Sequence, residues 1–318
     1  METHEVTTED GWRIPLRRYP GPGQPVLLVH GMGANSHNFD LNRRWSLARY
    51  LAGEGFDSWV VELRGRGATR PPPGGRTDWD FEDFLHRDLA AAVELVQQVR
   101  RQPLHWIGHS MGGMLGVAWA CCRPQEVIRS LVLFGTPLGF EPGQWALRLW
   151  GWMVQVHRVL PTLDQESLGR RLLPLMSRNR KALDFFLRYL ANPENIADEV
   201  AVEIFEKLVT NESPGIILQF SDWVRCGQIR SADRSYSYTD NIWRVRRPIM
   251  FVSGRHDRMA PPRVLERFRP RLGSPEVVQR LLSAENGFST DYGHGDLVLG
   301  RRAPEEVYPL VAEWLRSH

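Results

Sequence analysis

The stretch LHWIGHSMGG, Leu104 to Gly113, decides how the rest of the chain is read. A short apolar run stops at a glycine. His, Ser, Met and two more glycines then lead into an apolar pattern of helical type. A strand that ends in G-x-S-x-G and enters a helix is a sharp, strained turn with a serine at its tip. Here the turn is Gly108-His109-Ser110-Met111-Gly112. Side chains at 108 and 112 would collide with neighbouring backbone, so glycine is needed at both positions. The gain is positional. The Ser110 hydroxyl stands clear of a sheet, and the Met111 amide lies at a helix N-terminus, whose partial positive charge favours a developing oxyanion. Ser110 therefore reads as a nucleophile. The pattern also occurs by chance; its weight here comes from the strand before it, the helix after it and the partners elsewhere in the chain.

Working outward, short apolar runs alternate with helical patterns. VLLVHG (26–31), SWVVEL (58–63), LHWIG and VIRSLVLFG read as buried strands, and PIMFVSG and EVVQRLLS follow near the C-terminus. Between them, SLARYLAGEGF, the acid-led segment from Thr77 to Arg100, MGGMLGVAWACC, PPRVLERFRPRL and APEEVYPLVAEWL read as helices. In the second of these, Phe81, Phe84, Leu85, Leu89, Val93 and Val96 recur at helical spacing. Such alternation predicts an α/β fold: a mostly parallel sheet covered by helices on both faces. The opening segment alternates and turns at Asp10-Gly11, which predicts an antiparallel hairpin at the sheet edge. From about Leu138 to Arg247 the alternation stops, and helical patterns rich in Trp, Leu and Arg take over. The chain thus divides into core residues 1–138, a helical cap at 139–247 and a second core part at 248–318.

A serine at its own pKa is a weak nucleophile and needs a base that is oriented by an acid. With a strand–turn–helix serine, the chain order is serine, acid, histidine. Of the ten histidines, His294 and His318 follow the late strands, and His318 is the terminal residue. His294, in DYGHGD between the last strand and the last helix, is the expected base. Asp257, in FVSGRHDRMAPP just after a strand, is the expected acid. Asp291 and Asp296 are too close in sequence to His294 to reach it from a separate strand end, and the neighbouring His256 reads as structural. A second oxyanion donor should come from the loop after the first buried strand. In HGMG (30–33) the Met32 amide is the candidate, alongside Met111.

Composition sets limits. The formal net charge of +3 is spread without a basic block, so nothing points to nucleic acid. Three cysteines are too few and too badly spaced for a disulfide framework or a zinc site. The first twenty residues lack the apolar run of a signal peptide, and no segment reaches the ~18 apolar residues of a membrane span. These features predict a cytoplasmic chain, and the proposed chemistry calls for no metal or organic cofactor.

The pieces LLVHGMG, VVELRGRG, GHSMGG, SGRHDRMAPP and YGHGD resemble the α/β-hydrolase superfamily over both sheet halves. SLARYLAGEGFDSWVVELRGRG and HGDLVLGRRAPEEVYPLVAEWL look closer to the acid lipases and their bacterial relatives. Met111 stands where those lipases usually carry Gln, and GHSMGG is more like monoglyceride lipases and small esterases. The resemblance implies a serine esterase or lipase acting on a small-molecule ester with a lipid-like or apolar acyl group. An acyltransferase, a thioesterase or a C–C bond hydrolase would use the same triad. A hydrolase-fold protein that binds its ligand without turnover is the reading from a different class. In the cap, Trp145, Leu149, Trp150, Trp152 and Met153 are candidates for an apolar acyl pocket, for packing onto the core, or for transient contact with lipid.

Overall fold

The computed structural model describes residues 1–75, 78–141, 184 and 188–318. Among the described residues eight strands form one sheet: β1 (Glu2–Thr7), β2 (Arg13–Tyr19), β3 (Pro25–Val29), β4 (Asp57–Val61), β5 (Leu104–His109), β6 (Ile128–Phe134), β7 (Ile249–Gly254) and β8 (Val277–Leu282). Their order across the sheet is β1-β2-β4-β3-β5-β6-β7-β8. β1 pairs antiparallel with β2, and β2 antiparallel with β4; every other pairing is parallel. The N-terminal hairpin is thus an antiparallel edge, as its alternation predicts. The order reverses at β3: β4 lies to one side of it and β5 to the other. Loops leaving a parallel sheet at such a switch point splay apart and leave a crevice at the carboxyl ends of the strands.

Successive residues of each inner strand face opposite ways, so the sheet builds two cores. Leu27, Val29, Trp59, Val61 and Trp106 join one. It is covered by a helix at 81–100 (α2, after α1 at Leu47–Gly53) and by α3 (Met111–Cys122). Val26, Leu28, Val60 and Ile107 join the other, covered by α1 and the C-terminal helix. All six apolar positions expected on α2 are buried. Asp80 caps that helix, its side chain accepting from Asp83 N–H while the Asp83 carboxylate accepts from Asp80 N–H. Helix therefore begins at Phe81, with Glu82 and Asp83 in its first turn; Thr77 lies outside the described residues.

After β6, the described part of the chain before β7 carries a short helix at Asp198–Glu203 and α4 (Pro214–Cys226). α4 sends Ile216, Phe220, Trp223 and Val224 into the first core. Beyond β7 come α5 (Pro262–Phe268) and, after β8, a four-residue helix at Asp296–Leu299. The closing helix expected over 303–315 is two pieces, Ala303–Glu306 and α6 (Tyr308–Ser317). Pro309 lacks the N–H that a continuous helix would need there and is tolerated only in a first turn. No helix among the described residues is long and apolar enough to cross a membrane.

Candidate active site

Ser110 follows β5 with φ +53° and ψ −116°, backbone that a residue with a side chain rarely adopts. Backbone bonds pin the turn on both sides. Ser110 N–H donates to the Phe134 carbonyl at 2.8 Å, and the Ser110 carbonyl accepts from Gly113 and Met114 N–H at 3.0 and 3.1 Å. The steric reason for the flanking glycines is explicit. A Cβ at Gly108 would sit 2.4 Å from the Gly112 carbonyl, and one at Gly112 would sit 1.9 Å from the Val29 oxygen. Gly113 is constrained too, since a Cβ there would lie 1.9 Å from Thr136 Oγ1. That contact comes from the segment after β6, and no local pattern reveals it.

Asp257 and His294 meet. The His294 Nδ1–H donates to Asp257 Oδ2 at 2.8 Å, and both residues are buried. Asp257 Oδ1 accepts from Met259 and Ala260 N–H, each at 2.8 Å, so every bond fixes the carboxylate as an acceptor. The imidazole is thereby held with Nε2 free of any partner among the described residues. No hydrogen bond joins Ser110 Oγ to His294. Gly135, just after β6, opens the space for the pair. Its φ is +49°, and a Cβ there would meet His294 Nδ1 at 2.8 Å and Asp257 Oδ2 at 2.9 Å. In the sequence this glycine reads only as the end of a strand.

The loop holding His294 is tied down by Asp296. This fully buried carboxylate accepts from Gly293 N–H with both oxygens at 2.9 Å, from Asn192 N–H at 2.9 Å and from Asn195 Nδ2 at 2.8 Å. Burial raises its pKa above the ordinary aspartate range, against those hydrogen bonds. Asp291 instead pairs with the exposed His256 at 3.4 Å. Both acids passed over in favour of Asp257 thus have other partners.

The loop after β3 runs against the elbow. A Cβ at Gly31 would touch Ser110 Cβ and the His109 carbonyl oxygen, both at 3.3 Å. His30 Nε2 accepts from Leu63 N–H at 3.2 Å, so its proton is on Nδ1, which donates to the Gly31 carbonyl at 2.9 Å. Burial, with Arg66 nearby, pulls the His30 pKa down to about 3 and keeps the ring neutral. Gly33, at φ +63°, donates its N–H to Glu212 at 3.0 Å, and its carbonyl accepts from Thr210 N–H at 3.0 Å. Glu212 also pairs with the fully buried Arg66 guanidinium. The Met32 and Met111 amides have no acceptor among the described residues. Trp145, Leu149, Trp150, Trp152 and Met153 lie outside the described residues.

Residues 24–287 match the family model for the alpha/beta hydrolase fold. The chain belongs to that family. Triacylglycerol lipase 1 of Arabidopsis thaliana is 25% identical over 346 aligned residues, covering 99% of this chain and 86% of that protein. Triacylglycerol lipase 2 of the same plant is 30% identical over 135 residues, which span 37% of this chain and only 32% of the relative. A thermophilic esterase from Thermogutta terrifontis superposes with a TM-score of 0.65 at 20% identity, over 100% of this chain and 99% of its own. That likeness shows the fold of this alpha/beta hydrolase.

Proposed function

We propose that this protein is a serine hydrolase that cleaves carboxylic esters with an apolar, lipid-like acyl group through an acyl-enzyme on Ser110. One observation carries the reading. The strained serine after β5 and the bonded Asp257–His294 pair, from the segments after β7 and β8, come from loops at the carboxyl ends of parallel strands of one sheet. The lipase and esterase relatives support the choice of an ester.

In the first half-reaction, Ser110 Oγ attacks the ester carbonyl carbon while His294 Nε2 takes the hydroxyl proton. The carbonyl π pair moves onto oxygen and is held by the Met32 and Met111 amides, the latter at the N-terminus of α3. Collapse of this intermediate breaks the bond to the leaving oxygen, which takes the proton from His294. In the second half, His294 deprotonates a water that attacks the acyl carbon. Ser110 leaves with that proton, and the carboxylic acid departs. Asp257 stays ionised throughout and stabilises the imidazolium. Residues 139–247 act as a cap between core parts 1–138 and 248–318. The aromatic run from Trp145 to Met153 then supplies the acyl pocket and touches lipid transiently. The free thiols of Cys121, Cys122 and Cys226 fit a cytoplasmic setting.

The test is hydrolysis of p-nitrophenyl esters from acetate to palmitate, with Ser110→Ala as control. Turnover peaking at medium or long chains and falling about 10⁴-fold or more in the variant is the expected result. Equal rates in parent and variant would overturn it.

A further inference from the structure

Behind the elbow, three chain segments converge on two buried side chains, Asn38 and His109. Asn38 Oδ1 accepts from Gly31 N–H at 3.2 Å, which fixes the oxygen end of the amide toward the loop. The same oxygen lies 2.9 Å from His109 Nδ1. An amide oxygen only accepts, so His109 must donate from Nδ1. The ring then packs against the His294 ring, with centroids 4.8 Å apart and planes tilted by 41°. Its Nε2 edge lies 3.2 Å from the His294 carbonyl oxygen. Burial, with His294 close by, keeps the His109 pKa well below the ordinary value, so the ring is neutral and has one proton to give. That proton is committed to Asn38. Against His294 the ring acts by contact and shape.

We infer that Asn38 and His109 form a positioning bridge that sets the oxyanion loop and the His294 imidazole together. Asn38 holds the loop through Gly31 and the His109 ring through Nδ1; the ring in turn limits where the His294 plane can sit. Neither residue touches substrate. The inference rests on the proposed ester-hydrolase reading, with His294 as base. Its consequence is specific: losing either partner releases the same assembly, so the two losses do not add.

The experiment is a double-mutant cycle with Asn38→Ala, His109→Ala and both together, with Asn38→Asp and His109→Gln beside them. Two assays are run: steady-state kinetics (kcat and KM) on the best p-nitrophenyl ester, and the rate of covalent labelling of Ser110 by a fluorophosphonate. Each alanine variant should lose about 10- to 100-fold in kcat with KM changed less than about threefold. The double variant should be no more than about threefold worse than the poorer single. Asn38→Asp keeps an acceptor oxygen for both partners and should retain about tenfold more kcat than Asn38→Ala. Additive losses, or Asn38→Ala within about twofold of the parent, would overturn the bridge. Where His109→Ala does not fold, His109→Gln completes the cycle. If the parent labels at Ser110 but hydrolyses no ester, the ester reading falls and the labelling rates alone decide the bridge. A parent that neither labels nor hydrolyses would overturn both.

Discussion

The serine and the histidine of this site are held by different parts of the molecule. Ser110 sits in a turn fixed chiefly by the sheet core: its N–H donates to the Phe134 carbonyl on β6, and glycines at 108 and 112 leave room for the Gly112 and Val29 carbonyls. His294 sits in a loop stapled by Asp296 to Asn192 and Asn195, residues of the stretch between β6 and β7. The oxyanion loop is held from the same stretch, by Thr210 and by Glu212 on Gly33 and Arg66. The nucleophile is thus a property of the core. The base and the Met32 oxyanion donor depend on how that intervening stretch docks.

The comparison can be broken or sharpened in order of expected effect. Gly112→Ala attacks the core side. Its methyl group would overlap the Val29 carbonyl, and backbone cannot step aside cheaply. A loss of more than about 3 kcal/mol should leave little folded protein, visible as loss of soluble yield and of near-UV circular dichroism. A folded, active Gly112→Ala would show that the elbow is softer than its contacts imply.

Asp296→Ala attacks the docked side. It strips acceptors from three N–H groups and should cost about 3 kcal/mol in denaturant unfolding, with kcat falling more than KM changes. Ser110 geometry should persist in this variant, so fluorophosphonate labelling should still find Ser110, more slowly. Loss of labelling without loss of stability would mean that the serine also depends on this staple.

Acid tests the core beneath both. His30 and His105 are buried, and burial pulls each pKa down to about 3, from 6.5 in the unfolded chain. The unfolded chain therefore binds more protons between these values. The stability held by the two neutral rings is complete above pH 6.5 and is lost as pH falls toward 3, on the order of 2 kcal/mol for each at pH 5. Melting temperature should drop between pH 7 and 5 and drop less in His105→Gln; a flat profile would refute the assignment.

Glu212→Gln is the mildest change. It keeps an acceptor for Gly33 N–H but leaves the Arg66 guanidinium without its charge partner. A cost of about 2 kcal/mol is expected, with a kcat effect of about tenfold that reports movement of the Met32 amide. An unchanged kcat would detach Glu212 from the oxyanion loop.

Much of the site was legible because its chemistry demands particular residues at fixed chain positions. The glycines around Ser110, the acid after a strand and the histidine before the last helices are needed for local steric or topological reasons. The parts that Gly135, Asn38, His109, Asp296 and Glu212 play in holding the site carry no such local signature. Each acts across a long sequence separation, and nothing local distinguishes a buried Asp that staples a loop from one that salts a surface. The split of the closing helix at Pro309 is, by contrast, written in the chain, though the apolar spacing on either side runs through it.

By itself the sequence determined the parallel sheet, the antiparallel edge and the serine turn. Periodicity and glycine placement act through neighbours along the chain, and the backbone must obey them. Only the tertiary structure decided which buried polar groups share hydrogen bonds beneath the site. That pairing is settled when the sheet switch point brings the loops after β3, β5 and β8 together, and each donor takes the acceptor within reach.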